Sequence, residues 1–165
     1  MWRAIAIACG VTSCLTIPAG TSAEPMIRLF VGTERFAMMR AADGAARRLA
    51  TPECQRVLDD FTDPSGLTPA GKLAQLGKTP IEFFNALYFT DDRETPCCLR
   101  RGTLAFTAPG QRVIRICGRR FAAVSFANPA YGDAVLIHEM LHALGLGENP
   151  PSSTDITRQV LARCS

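Results

Sequence analysis

The sequence predicts an α+β domain. Three observations carry that prediction. The first half repeats helical spacing and helix-start signals, a stretch before residue 120 alternates like paired strands, and the apolar run from Val135 to Leu144 is helical again. The order is therefore helices, a small antiparallel sheet, a buried helix and a closing helix.

Residues 1–23 read as a secretory signal peptide. Arg3 gives the positive start, Ala4 to Leu15 the apolar run, and Thr21-Ser22-Ala23 a small-residue cleavage site. The apolar run is short for a bilayer span, and no other stretch approaches its length. Val11-Thr12-Ser13-Cys14 offers a rival reading, a lipoprotein acylated at Cys14. Residues 24–165 then form a single domain with room for a core. Loss of Arg3 lowers the formal charge of +3 by one, which argues for neither nucleic acid nor a membrane surface. A monomer without a transmembrane segment in the mature chain is expected.

Met26 to Val31 is a short apolar run and a candidate first strand. Residues 34–50 have helical spacing through Phe36, Met38 or Met39, Ala42, Ala46 and Leu49. Thr51-Pro52, Thr68-Pro69 and Thr79-Pro80 each pair a capping threonine with proline at the first helical position. They predict a short helix facing Cys54, Val57, Leu58 and Phe61 inward, a helix over 69–76 ended by Gly77, and one over 80–88. Thr103–Thr107 and Val113–Cys117 flank Ala108-Pro109-Gly110-Gln111 and predict a hairpin. Phe121 to Phe126 reads as a third strand or a loop. Asp133 is expected near the start of the apolar helix, as a cap or first-turn acid. Ser153 is expected to cap a last helix to Arg163, with Ile156, Val160 and Leu161 inward.

The apolar helix carries the chemistry. His138-Glu139-Met140-Leu141-His142 is an H-E-x-x-H motif, and these are the chain's only histidines. Four residues apart on a helix, the two imidazoles share a face and can ligate one zinc ion. Glu139 lies about 100° round the helix from His138, placed to take a proton from a water at the metal. Nearly all neighbours are apolar, so the helix should be buried. A carboxylate and two imidazoles there are costly unless something satisfies them.

The longer string, His138 to Glu148, resembles the zincin metallopeptidases, and in particular the metzincin pattern H-E-x-x-H-x-x-G-x-x-H. His138, Glu139, His142 and Gly145 match it. Glu148 stands where the pattern has a third histidine, and no methionine follows Met140 to form the turn those enzymes carry beneath the metal. Carboxylates ligate zinc, and a turn at Gly145 would return residue 148 to the site. The resemblance implies zinc on His138, His142 and Glu148, with Asp155 on the last helix as the alternative third ligand. It implies Glu139 as catalytic base and the hairpin as the edge that receives a peptide. Tyr131 is either a donor to a reaction intermediate or a packed tyrosine.

Cys54, Cys97, Cys98, Cys117 and Cys164 remain after export and read as two disulfides and one free thiol. The hairpin favours joining Cys97 or Cys98 to Cys117, leaving Cys54 for Cys164. The other pairing joins Cys54 to Cys97 or Cys98, and Cys117 to Cys164. The expected function is an exported (periplasmic or extracellular) zinc peptidase acting on peptide or protein substrates. The alternative is a non-catalytic envelope protein, of zincin fold or merely disulfide-stapled, that binds a partner.

Overall fold

The structure is a computed structural model that describes residues 24–164. The expected signal peptide over residues 1–23, with Cys14, lies outside these residues. The expected mixture of helix and sheet is present. In order the elements are β1 (Met26–Arg28), α1 (Gly32–Leu49), α2 (Pro52–Gln55), a 3-10 turn (Arg56–Asp59), α3 (Pro69–Leu76), α4 (Pro80–Asn85) and β2 (Tyr88–Asp91). There follow α5 (Pro96–Leu99), β3 (Ala105–Phe106), β4 (Val113–Ile116), α6 (Gly118–Ala127), α7 (Pro129–Ala143) and α8 (Ser153–Arg163).

The threonine caps work as their sequence implies. Thr51, Thr68 and Thr79 each accept a backbone N–H through the side chain, and Thr79 with Glu82 forms a capping box. Gly77 ends α3 in the left-handed conformation, at φ 61°. On α1 the buried stripe is Ala37, Met38, Ala41, Ala42, Ala45 and Leu49. Of the two methionines offered for this stripe Met38 is the buried one and Met39 is exposed; Phe36 is exposed too and stacks on Phe126 of α6 with ring centroids 6.2 Å apart.

The sheet differs from the antiparallel one expected. Its order is β1-β2-β4-β3. β1 and β4 both run parallel to β2, and only the β3–β4 hairpin is antiparallel. The central strand β2 lies partly where α4 was expected to continue. Helix α4 stops at Asn85, and the alternation of exposed Tyr88 with buried Phe89 belongs to a strand. Short apolar runs do not distinguish the two states by periodicity alone. The same ambiguity explains α6, expected as strand or loop over Phe121–Phe126. Phe121, Ala122 and Ser125 are buried together on one helical face.

Helix α7 is the centre of the packing, and α1, α6 and α8 all lie against it. Every residue from Gly132 to Ala143 is buried. It starts earlier than expected. Asn128 caps it by accepting the Tyr131 N–H, and Pro129 takes the first helical position. Asp133 is therefore inside the helix, and its carboxylate is paired with Arg48 of α1 (Nε–Oδ2 2.9 Å). Helix α1 approaches closely there because Gly44 has no Cβ; one would lie 2.3 Å from Asp133 Oδ2. Helix α8 is capped by Ser152 and not by Ser153.

The disulfides are Cys98–Cys117 and Cys54–Cys164, with Cys97 free. The hairpin-based pairing holds, and the alternative with Cys117 joined to Cys164 does not. Two disulfides suit an oxidising compartment. No helix among the described residues is long and apolar enough to cross a membrane.

Candidate metal centre

Helical spacing puts His138 and His142 on one face of α7, each 5% exposed. Their rings meet edge to face, with the two Nε2 atoms 2.9 Å apart. The far nitrogen of each ring is held. His142 Nδ1 lies 2.7 Å from the Leu146 carbonyl oxygen. A carbonyl only accepts, so Nδ1 carries a proton, and in the neutral ring Nε2 presents a lone pair. His138 Nδ1 lies 2.9 Å from Thr157 Oγ1 on α8. A hydroxyl both donates and accepts, so His138 can take either neutral tautomer. One gives an N–H···N bond to His142. The other aims two lone pairs into the same space, which a cation would relieve.

The chain then returns to that space. At the end of α7 the Gly145 N–H donates to the His142 carbonyl, and Gly145 adopts φ 112°. That conformation is costly for any residue with a Cβ. The turn brings Glu148 Oε1 to 3.2 Å from His142 Nε2 and 3.8 Å from His138 Nε2. His138, His142 and Glu148 form a group that could hold a metal ion, each offering one ligand atom within 4.8 Å of the others. Ligands at ~2.1 Å in a tetrahedral site are separated by ~3.4 Å. The observed spacings of 2.9, 3.2 and 3.8 Å bracket that value.

Glu139 faces the same cleft, 5% exposed. The Thr107 backbone N–H, just beyond β3, bonds to its carboxylate. Oε2 is buried without a hydrogen-bond partner. Burial, and secondarily Glu148, push its pKa up to about 8. Burial, and secondarily His142, lower that of His138 to about 3, so His138 is neutral at physiological pH and can act as a ligand. An orphaned carboxylate oxygen in the same cleft as facing imidazole nitrogens is the environment a cation with a bound water would satisfy.

The cleft has a volume of about 450 Å³. His138, Glu139 and Glu148 line it together with edge strand β3 and with Arg100 and Arg101 of the segment that leads into β3. Tyr131 and free Cys97 also line it. Asp155 does not join the group. Its carboxylate accepts from Ser152 Oγ at 2.6 Å and pairs with Arg158, so it belongs to the cap of α8. These bonds hold its pKa below the usual range. Sequence reasoning missed Thr157 and Thr107. Neither carries a motif, because each reaches the site through tertiary packing. No family model, curated protein or solved structure matches the chain.

Proposed function

We propose that this chain is an exported zinc-dependent peptidase of zincin type. The observation that carries the reading is the convergence of His138, His142 and Glu148 beside buried Glu139 in an open cleft. Two imidazoles and a carboxylate suit zinc and leave a fourth position for water. Thr157 and Leu146 orient the two rings, as outer-shell partners of metal-bound histidines do.

Zinc in such a site would acidify its water and polarise a carbonyl. The protein's own residues do the rest. With a cation beside it, which favours the carboxylate form, Glu139 would accept the water's proton and return it to the leaving amine. The Thr107 N–H fixes the Glu139 carboxylate, leaving Oε2 free for that exchange. Edge strand β3 borders the cleft, where it would pair with an extended peptide backbone. Tyr131 packs against the core and also lines the cleft, where it would be the candidate donor to a developing oxyanion.

Metal analysis of the mature protein, with digestion of a mixed peptide library, tests the proposal. The expected result is close to one zinc per chain, lost in His142→Ala, and peptide hydrolysis that depends on zinc. Stoichiometric zinc retained by His142→Ala would overturn the site. Zinc bound tightly with no peptide cleaved would favour the partner-binding reading.

A further inference from the structure

We propose that Arg100 and Arg101 in the wall of this cleft receive a carboxylate of the substrate, making the site selective for acidic peptides. This rests on the peptidase reading above and adds a substrate class to it.

The charges around the cleft are unevenly placed. Its only acids among the described residues are Glu139 and Glu148, both at the metal-binding group. A divalent cation there would offset both. Arg100 and Arg101 would then leave the cleft net positive. Elsewhere Arg48, Arg93, Arg115, Arg158 and Arg163 are paired with aspartate or glutamate. Arg100 and Arg101 are exposed and have no ion-pair partner among the described residues. Two free guanidiniums in a concave wall attract anions, and each can grip a carboxylate with two parallel N–H bonds.

The segment carrying them is built in. Arg120 of α6 donates to the carbonyls of Arg100 at 2.7 Å and Thr103 at 2.8 Å. The Cys98–Cys117 disulfide fastens the residues before it to the end of β4. The Cys117 N–H bonds to the Leu104 carbonyl at 2.9 Å. Residues 100–104 are thus pinned from three sides and lead directly into edge strand β3. A peptide paired along β3 would lie in the same cleft as the arginines, which directly precede that strand in the chain. A fixed backbone limits the ordering cost of capture to the two side chains.

The carboxylate has two possible sources, an acidic side chain or a free C-terminus. Zinc-loaded Glu139→Gln, which should bind without cleaving, separates them by fluorescence anisotropy. The probes are labelled peptides of one length. One set moves a single aspartate along an amidated peptide, one peptide has neutral side chains and a free C-terminus, and one is neutral and amidated. At low salt, at least one acidic probe should bind on the order of tenfold more tightly than the neutral amide. The best probe identifies the source. Adding Arg100→Glu and Arg101→Glu should erase that gap, and Arg100→Lys with Arg101→Lys should restore part of it. Equal binding of all probes, no binding of any, or a preference that survives charge reversal would overturn the inference. Parent enzyme that cleaves neutral and acidic peptides alike leaves the peptidase reading standing and removes this one. Acidic peptides held tightly but never cleaved by the parent would do the reverse.

Discussion

Glu139 is the residue whose environment makes the sharpest demand. In the cation-free protein its pKa is raised from 4.5 to about 8 by burial. Between those values the folded chain keeps a proton that the unfolded chain has lost, so stability falls as pH rises. His138 has the opposite sign. Its value falls from 6.5 to about 3, so its contribution is lost as pH drops through that window. The two oppose each other where they overlap, and above about pH 6.5 the Glu139 contribution dominates. Chelated protein should therefore lose stability from pH 6.5 to 8, by at most ~1.4 kcal/mol per pH unit. Glu139→Gln should flatten that limb in a series of Tm measurements, and a parent profile already flat there would refute the argument. With zinc added, the same variant should keep the metal but lose on the order of 10²- to 10⁴-fold in hydrolysis. Thr157 has a subtler role. Thr157→Val preserves shape and removes the hydroxyl beside His138 Nδ1. Zinc affinity, read by chelator competition, should fall roughly 10- to 100-fold. Unchanged affinity would mean that α8 does not orient the ring.

At the scale of the element, the turn after α7 matters as much as the helix. The helix presents two imidazoles, and the turn supplies the third candidate ligand. Gly145 at φ 112° is the hinge on which Glu148 comes back. A side chain is sterically possible there, since the nearest atom to a built Cβ is Asp63 Oδ2 at 3.9 Å. The obstacle is the backbone conformation itself. Gly145→Ala should cost on the order of 1–3 kcal/mol or shift the turn. Where the turn shifts, zinc should be held less tightly, because Glu148 moves from His142. Urea unfolding beside chelator competition measures both, and an alanine variant matching the parent in each would show that the turn does not set the site. The β3–β4 hairpin meets the same helix end, where the Gly110 N–H donates to the His142 carbonyl.

Across the whole molecule, the site depends on keeping α1, α7 and α8 together. Cys54–Cys164 closes a separation of 110 residues and fastens the chain after α1 to the end of α8. Arg48 reinforces the junction by reaching both Asp133 on α7 and the Cys164 carbonyl. Asp60 holds Arg163 at 2.9 Å and Gln159 at 2.7 Å. Since Thr157 lies on α8, loosening this helix reaches the metal group through His138. Replacing Cys54 and Cys164 together by alanine should cost about 2–5 kcal/mol of stability. Unfolding in urea reads that loss. A midpoint equal to the parent's would show that packing alone holds α8.

The sequence by itself determined the local devices. The threonine-proline starts, the Gly77 stop, the hairpin, the H-E-x-x-H face and the return turn at Gly145 are short-range features. Their physics is complete within a few residues. The cysteine pairing was partly legible because the hairpin brought Cys98 near Cys117 and left Cys54 for Cys164. Only the tertiary structure decided what depends on distant packing. It made 118–127 a helix against α1 and α7, and it placed β2 between two parallel neighbours. It turned Asp133 from an expected cap or first-turn acid into a buried partner of Arg48, and engaged Asp155 at the cap of α8, outside the candidate metal group. It also supplied Thr157 and the Thr107 N–H, which no spacing in the chain could announce. A short apolar run fits either helix or strand until a neighbour accepts one of its faces, and a side chain's partner is undefined until distant elements meet.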